Sequence, residues 1–239
     1  MKKYELTDET KLYNGRTLHR IVALRSFGWV NKGDKGGWIE KEENLSHEGN
    51  CWVNYEAKVL DDAKVLDNAW LSQRAELYDR ACLHNDAAVG DHAILSGDAG
   101  VFSFAKVYRK ALVHNAKLLG EVVIKDNATV CGNVIICDAV TVCEDAKIIN
   151  NDVSSDGMII RGLARFCGDA KISNNKDYIV FKNWWSSGRY FTWTRSNNMW
   201  SVGCFYGTGE ELIEKAYADS EDKGKHYEEI VEYVNRCVL

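Results

Sequence analysis

From Ala57 to Ala111 an alanine recurs at every sixth residue without a miss, and an aliphatic residue stands two positions after each one. A period of six cannot serve an α-helix, whose apolar stripe repeats at 3.6, but it suits strands because six is a multiple of two. Within each unit the alanine and the aliphatic residue share one face. The Asp, Asn, Gly, Arg and Lys that follow tolerate tight or left-handed turns. Each hexad is therefore a short strand and a corner. The aligned units run VLDDAK (59–64), VLDNAW, LSQRAE, LYDRAC, LHNDAA, VGDHAI, LSGDAG, VFSFAK and VYRKAL. After VHNAK, one residue short, the period resumes at LLGEVV (118–123), weakens over IINNDV and SSDGMI, and returns in IRGLAR and FCGDAK.

Hexapeptide repeats are a signature of β-helices, and the small residue before each corner predicts the left-handed, triangular form, three hexads to a coil and about seven coils in all. Leu45 and Cys51 occupy the first alanine slots, and Ala170 the last. A regular set of antiparallel strands is the competing arrangement; hairpin lengths vary too much to give nine successive units of one length. The short unit at His114–Lys117 predicts a tightened corner, not the end of the helix. Asp152 and Ser154, standing where Ala and Val belong, predict a coil that bulges or is interrupted.

The expected fold is mainly β: residues 1–44 form N-terminal strands and a cap, 45–172 the left-handed parallel β-helix, and 173–239 a small C-terminal α+β module. Asn14-Gly15 predicts a hairpin turn between Tyr13 and Arg16, with Leu18–Leu24 as the returning strand. The glycines of Lys32–Glu40 predict tight turns that lead into the first coil and close its open end. A phosphate-cradling glycine loop is the sharper alternative, but no Gly-Lys-Ser/Thr follows.

With 239 residues and 46% hydrophobic side chains the chain can bury a continuous core. It has no run of eighteen apolar residues, and MKKYELTDET lacks the apolar stretch of a signal peptide, so a cytoplasmic protein without a membrane span is expected. A net charge of −5 argues against phosphate-driven binding of bulk nucleic acid. Cys131, Cys137 and Cys143 fall at one outward hexad position on successive faces of the triangle and cannot converge. No Cys-x-x-Cys occurs, so no metal site is expected and the eight cysteines are read as reduced thiols.

The outward positions of one face collect Leu60, Tyr78, Ile94, Leu112 and His114. The next collects Leu66, His84, Phe102, Leu119, Ile135 and Cys137. Contiguous apolar patches mark interfaces, so a homo-oligomer is expected, a trimer ahead of a dimer. Cover by the chain's own termini is the alternative.

The run TLHRIVALRSFGWVNKGDKGGWIEKEENLSHEGNCWV (17–53), followed by the hexads, resembles the opening of YdcK-like hexapeptide-repeat proteins. That resemblance extends over about the first 170 residues. It implies the architecture of left-handed β-helix transferases without an assigned activity. The segment from Phe181 resembles a module of uncharacterised proteins of bacteria, prophages and phages.

That C-terminal segment is a separate physical object. From Tyr178 to Tyr206 ten of 29 residues are aromatic, and Lys182, Arg189 and Arg195 meet no Asp or Glu. Strands are expected at Tyr178–Trp185, Tyr190–Arg195 and Met199–Phe205, with turns at Ser186–Gly188 and Ser196–Asn198. Thr208-Gly-Glu-Glu211 has capping-box spacing, and a second helix near Asp222–Arg236 places Tyr227, Ile230, Val231 and Val234 on one face.

Trp184, Trp185 and Trp193 could stack a base, while Arg189, Arg195 and Lys182 pair phosphates and the helix start at Thr208-Gly209 receives an anion. The opposing reading buries most of these aromatics as the core of a small domain.

Two functions follow. One is a non-catalytic, cofactor-free oligomer that holds a small anionic or nucleotide-like ligand, or a protein partner, at its subunit boundaries. The phage-like module implies a host nucleotide signal or a host defence protein. The other is an acyltransferase using acyl-CoA, with His84 or His114 as the base that deprotonates the acceptor. A structural scaffold is the third possibility.

Overall fold

The computed structural model describes residues 2–152, 157–184 and 188–238. The hexads wind into a three-sided parallel β-solenoid, the form expected of the left-handed β-helix. Among the described residues its faces belong to a 10-stranded, a 7-stranded and a 6-stranded sheet, which amounts to about six turns. The inward slots behave as the period requires: Ala57, Ala75 and Ala93 stack in one column and Val59, Leu77 and Leu95 in the next, all with no exposure.

The corners explain the Asp and Asn that follow each strand. Asp61, Asp67, Asp79, Asn85, Asp91 and Asn115 all take left-handed φ values between 54° and 58°, a region these side chains tolerate better than most. The side chains of the first five also accept the corner amide one coil further on, as Asp61 does from Asp79 N (3.1 Å) and Asp79 from Gly97 N (2.8 Å). One residue type thus satisfies both the backbone and its neighbour.

Successive coils are offset by 18 residues, and two departures from that number carry the irregularities of the sequence. At Asn115 the offset is 17, with Asp98 N donating to Asn115 Oδ1 across a shortened corner, and the ladder runs on through Lys117–Leu118. In the last coils the offset becomes 24, because Val134 pairs with Met158 and Asp138 accepts from Gly162 N. The weak hexads are thus a six-residue expansion. Asp152 sits exposed at its start; Ser154 lies outside the described residues.

Parallel strands give the prism two unlike ends. Outside the bonds between paired strand residues, most coil-to-coil bonds run from an amide to a carbonyl of the next coil, as in Lys58 N to Ala75 O, while some run back, as in Asn115 N to Ser96 O. Amides are therefore in excess at the C-terminal end and carbonyls at the N-terminal end. At the carbonyl end the cap supplies donors. Tyr4 donates to the carbonyls of Glu42 and Leu45 (both 2.8 Å), Arg20 to those of Gly36 and Tyr55, and the fully buried Lys3 ammonium to that of Cys51 (2.8 Å). Burial holds the Lys3 pKa below its ordinary value. At the amide end the C-terminal module supplies acceptors: Thr192 Oγ1 for Arg165 N (3.0 Å), Ser196 Oγ for Lys171 N (2.7 Å) and Asp177 for Ser173 N (2.7 Å).

The hairpin forms as the Asn-Gly turn requires, Tyr4–Tyr13 pairing with Arg16–Ala23 about Asn14 and Gly15, both at positive φ. The glycine-rich stretch turns at Gly33 (φ 91°) as expected and departs from expectation beyond it. Gly36 and Gly37 lie in the strand Lys35–Ile39, which joins the first face in parallel, rather than in a turn. They are needed for close packing, since a Cβ on Gly36 would fall 2.5 Å from Ile21 Cγ1 and one on Gly37 2.6 Å from the Ala57 carbonyl.

The C-terminal module is a 4-stranded antiparallel sheet followed by helices α1 (Gly209–Asp219) and α2 (Glu221–Val238). The segment expected as one strand over Met199–Phe205 is two, Met199–Val202 and Phe205–Gly207, turning at Gly203 with φ 60°. Tyr227, Ile230, Val231 and Val234 form the buried face of α2, against Phe191, Trp193 and Trp200.

Candidate functional site

On the second face the strands Lys64–Val65, Cys82–Leu83, Gly100–Val101 and Lys117–Leu118 stack in register. Residues one step beyond each strand point outward, which places Leu66, His84, Phe102 and Leu119 in one half-buried column, continued by Cys137. The adjoining column is Lys64, Cys82, Gly100, Lys117 and Ile135. Phe102 lies down over Gly100, where a Cβ would meet its ring at 2.5 Å, and stacks on His84 with centroids 5.3 Å apart and planes 17° apart. The result is a flat apolar strip with an imidazole in it and exposed lysines at its edge. Burial raises the pKa of the Cys82 thiol beside it.

The two candidate bases differ. Asn115 Oδ1 accepts from Asp98 N, so its amide nitrogen donates to His114 Nε2 (2.9 Å), and His114 Nδ1 then carries the proton towards Ser96 Oγ (2.9 Å). Both His114 nitrogens are engaged. His84 Nδ1 faces Asp67 Oδ2 at 3.6 Å, a carboxylate that accepts from Asn85 N. That carboxylate can orient His84.

The first-face strip is covered at its N-terminal end. Leu60 is buried with Leu18 and Trp38 beneath the N-terminal hairpin, with Tyr13 and Tyr78 packed alongside. Leu60 therefore offers no surface to a partner, a correction that follows from the hairpin folding over its own prism. Ile94 and Leu112 remain half-exposed. Beneath the hairpin tip Tyr13 donates to Glu76 (2.7 Å), which also pairs with Lys58 (2.8 Å).

In the module the proposed ligand residues scatter. Trp193 is 2% exposed and donates to Asn198, so it is core and cannot stack a ligand. Trp184 is 78% exposed, and Trp185 lies outside the described residues. Lys182 is exposed near the Tyr190 ring, and Arg195 bonds the Lys176 carbonyl. Thr208 and Glu211 close a reciprocal capping box (3.2 and 2.8 Å), so this helix start is occupied by its own side chains. Arg189 lines a small cavity together with Phe205, Lys215, Asp219 and Lys223, a grouping across two helices and a sheet that spacing could not reveal.

The reduced-thiol expectation fails for one pair. Cys143 and Cys167 are joined by a disulfide, Cα atoms 4.9 Å apart, and both are buried. They share one outward column only because the six-residue expansion sets their coils 24 apart; an 18-residue offset would have put another residue over Cys143. With Glu144 they are, among the described residues, the grouping whose spacing could hold a metal, but the disulfide engages both sulfurs.

The architecture is that of a hexapeptide-repeat parallel β-helix. In sequence, the chain is 36% identical over 61 residues to the protein named uncharacterized acetyltransferase YdcK of Escherichia coli (strain K12). That match covers 22% of this chain and 19% of the relative, and with the solenoid it bears out the resemblance to YdcK-like β-helices. No family model matches.

Proposed function

We propose that the chain is a non-catalytic binding protein working as a homo-oligomer, a trimer ahead of a dimer, whose subunits meet over the second face. One observation carries this reading. The column Leu66, His84, Phe102, Leu119 and Cys137 is half-exposed along five coils, and belongs neither to the hydrophobic cluster under the hairpin nor to that of the module. On the first face the hairpin buries the comparable strip at Leu60. Lys64 and Lys117 at the strip's edge favour a small anionic, nucleotide-like ligand at the boundary. A phage-type role, sequestering a host signal nucleotide or a defence protein, is the finer form of this reading and rests on the resemblance of the module alone.

A second reading has its own observation. His84 backed by Asp67 is the arrangement of an oriented base, and the relative's name is that of an acetyltransferase. In that reading His84 takes the proton of an acceptor amine or hydroxyl at the subunit boundary while acyl-CoA supplies the acyl group. Native mass spectrometry of the wild type and of Leu119→Glu tests the oligomer; an unchanged mass removes the first reading. Release of free thiol from acetyl-CoA with an acceptor, abolished in His84→Ala, would establish the second in its place.

A further inference from the structure

We propose that the cleft between the last two strands of the C-terminal sheet and helices α1 and α2 is an anion site that takes a phosphoryl group. Among the described residues Arg189, Lys215 and Lys223 line it against one carboxylate, Asp219, three positive charges to one negative. Each cation is held in place by something other than that carboxylate alone. Lys215 Nζ lies 5.6 Å from the centre of the Phe205 ring and Lys223 Nζ 5.6 Å from that of Tyr227. Arg189 runs along the bare Cα of Gly203, where a Cβ would stand 3.2 Å from its Cδ.

Lys223 pairs with Asp219, and with Lys215 and Arg189 it holds that carboxyl below the ordinary carboxylate range, so the fields of all three cations converge on one place. Lys215 and Arg189 bring their charges to the same cleft, opposite in sign to a phosphate dianion. Arg adds a planar fork of donors suited to phosphate oxygens. The floor of Val202, Leu212 and Ala216 is apolar, which excludes water from beneath the bound group and strengthens each contact. Phe205, half-exposed at the rim, offers a ring to whatever carries the phosphate.

This inference deepens the binding reading by naming the charged part of the ligand, yet it is separable from the oligomer because every lining residue comes from one chain. The full-length protein is titrated with inorganic phosphate and with adenosine monophosphate by calorimetry, using chloride as the control anion. Both phosphates are expected to bind, the nucleotide more tightly, with affinity falling at least about tenfold in Arg189→Gln/Lys215→Gln, the effect of losing even one of its two charge-assisted contacts. Both substituted side chains are exposed, and circular dichroism verifies that the variant is folded. Leu119→Glu is expected to bind phosphate as the wild type does; if it fails while Arg189→Gln/Lys215→Gln still binds, the anion belongs to the subunit boundary and the cleft is refuted. Equal affinity in wild type and double variant, or no binding beyond that of chloride, overturns the proposal as well.

Discussion

Thr192→Val isolates one contact at the junction of prism and module. Threonine and valine are nearly the same size, and Thr192 is 1% exposed, so the substitution leaves no cavity and removes only the oxygen that accepts from Arg165 N at 3.0 Å. Arg165 stands on the last strand of its sheet among the described residues, with its amide facing away from the preceding coil. A donor buried without a partner costs about 1–3 kcal/mol. Because the Arg165 side chain also reaches the Gly203 carbonyl at 3.1 Å, the module stays tethered and the lower half of that range, about 1–2 kcal/mol, is expected. The readout is hydrogen exchange of peptides containing Arg165. Local protection should fall roughly five- to thirtyfold, while peptides from the middle coils, such as those around Val89, keep theirs. Unchanged protection at Arg165 would show that the module does not cap this end of the prism.

Three further outcomes are expected. Cys143→Ser/Cys167→Ser, or mild reduction, opens a loop of sequence separation 24 and should lower unfolding stability by about 3 kcal/mol if chain entropy dominates, measured in urea against the untreated protein. Gly36→Ala should destabilise by roughly 2 kcal/mol or more, since its new Cβ strikes Ile21, Trp52 and the Val53 carbonyl together; a wild-type melting temperature would contradict the close packing. Burial, with the Glu76 hydrogen bond second, pushes the Tyr13 phenol up to about 12, against about 10 in an unfolded chain. A group raised on folding stabilises fully below its unfolded value, so this contribution should persist to about pH 10 and disappear as pH rises through about 12. Melting temperatures of wild type and Tyr13→Phe should therefore converge over that interval, and a constant difference would refute the assignment.

The repeat made the prism legible because one period fixed which side chains point inward, and both interruptions of that period became changes of offset. The same arithmetic failed where an interruption altered the neighbours. Cys143 and Cys167 were separable on an unbroken count and are adjacent on the real one. Leu60 looked exposed because a repeat says nothing about what a hairpin outside it will cover. Trp193 and Arg189 stand four residues apart in one aromatic stretch, yet one is core and the other lines a cleft. Nothing in composition separates them, since that assignment depends on how two helices pack across a sheet. Lys215 and Lys223 were missed for the same reason: each looks like an ordinary helix-surface lysine until its ring partner is known.

The unlike ends of the prism bear on why this molecule stays finite. Each end of a bare prism presents unpaired backbone donors and acceptors that match those of the other end, so bare copies could add head to tail, a contact that repeats without closing and builds a filament. Lys3, Tyr4 and Arg20 block one terminus of that series, and Thr192, Ser196 and Asp177 the other. Lateral association over a face then remains the route by which such rods can meet in closed, countable groups.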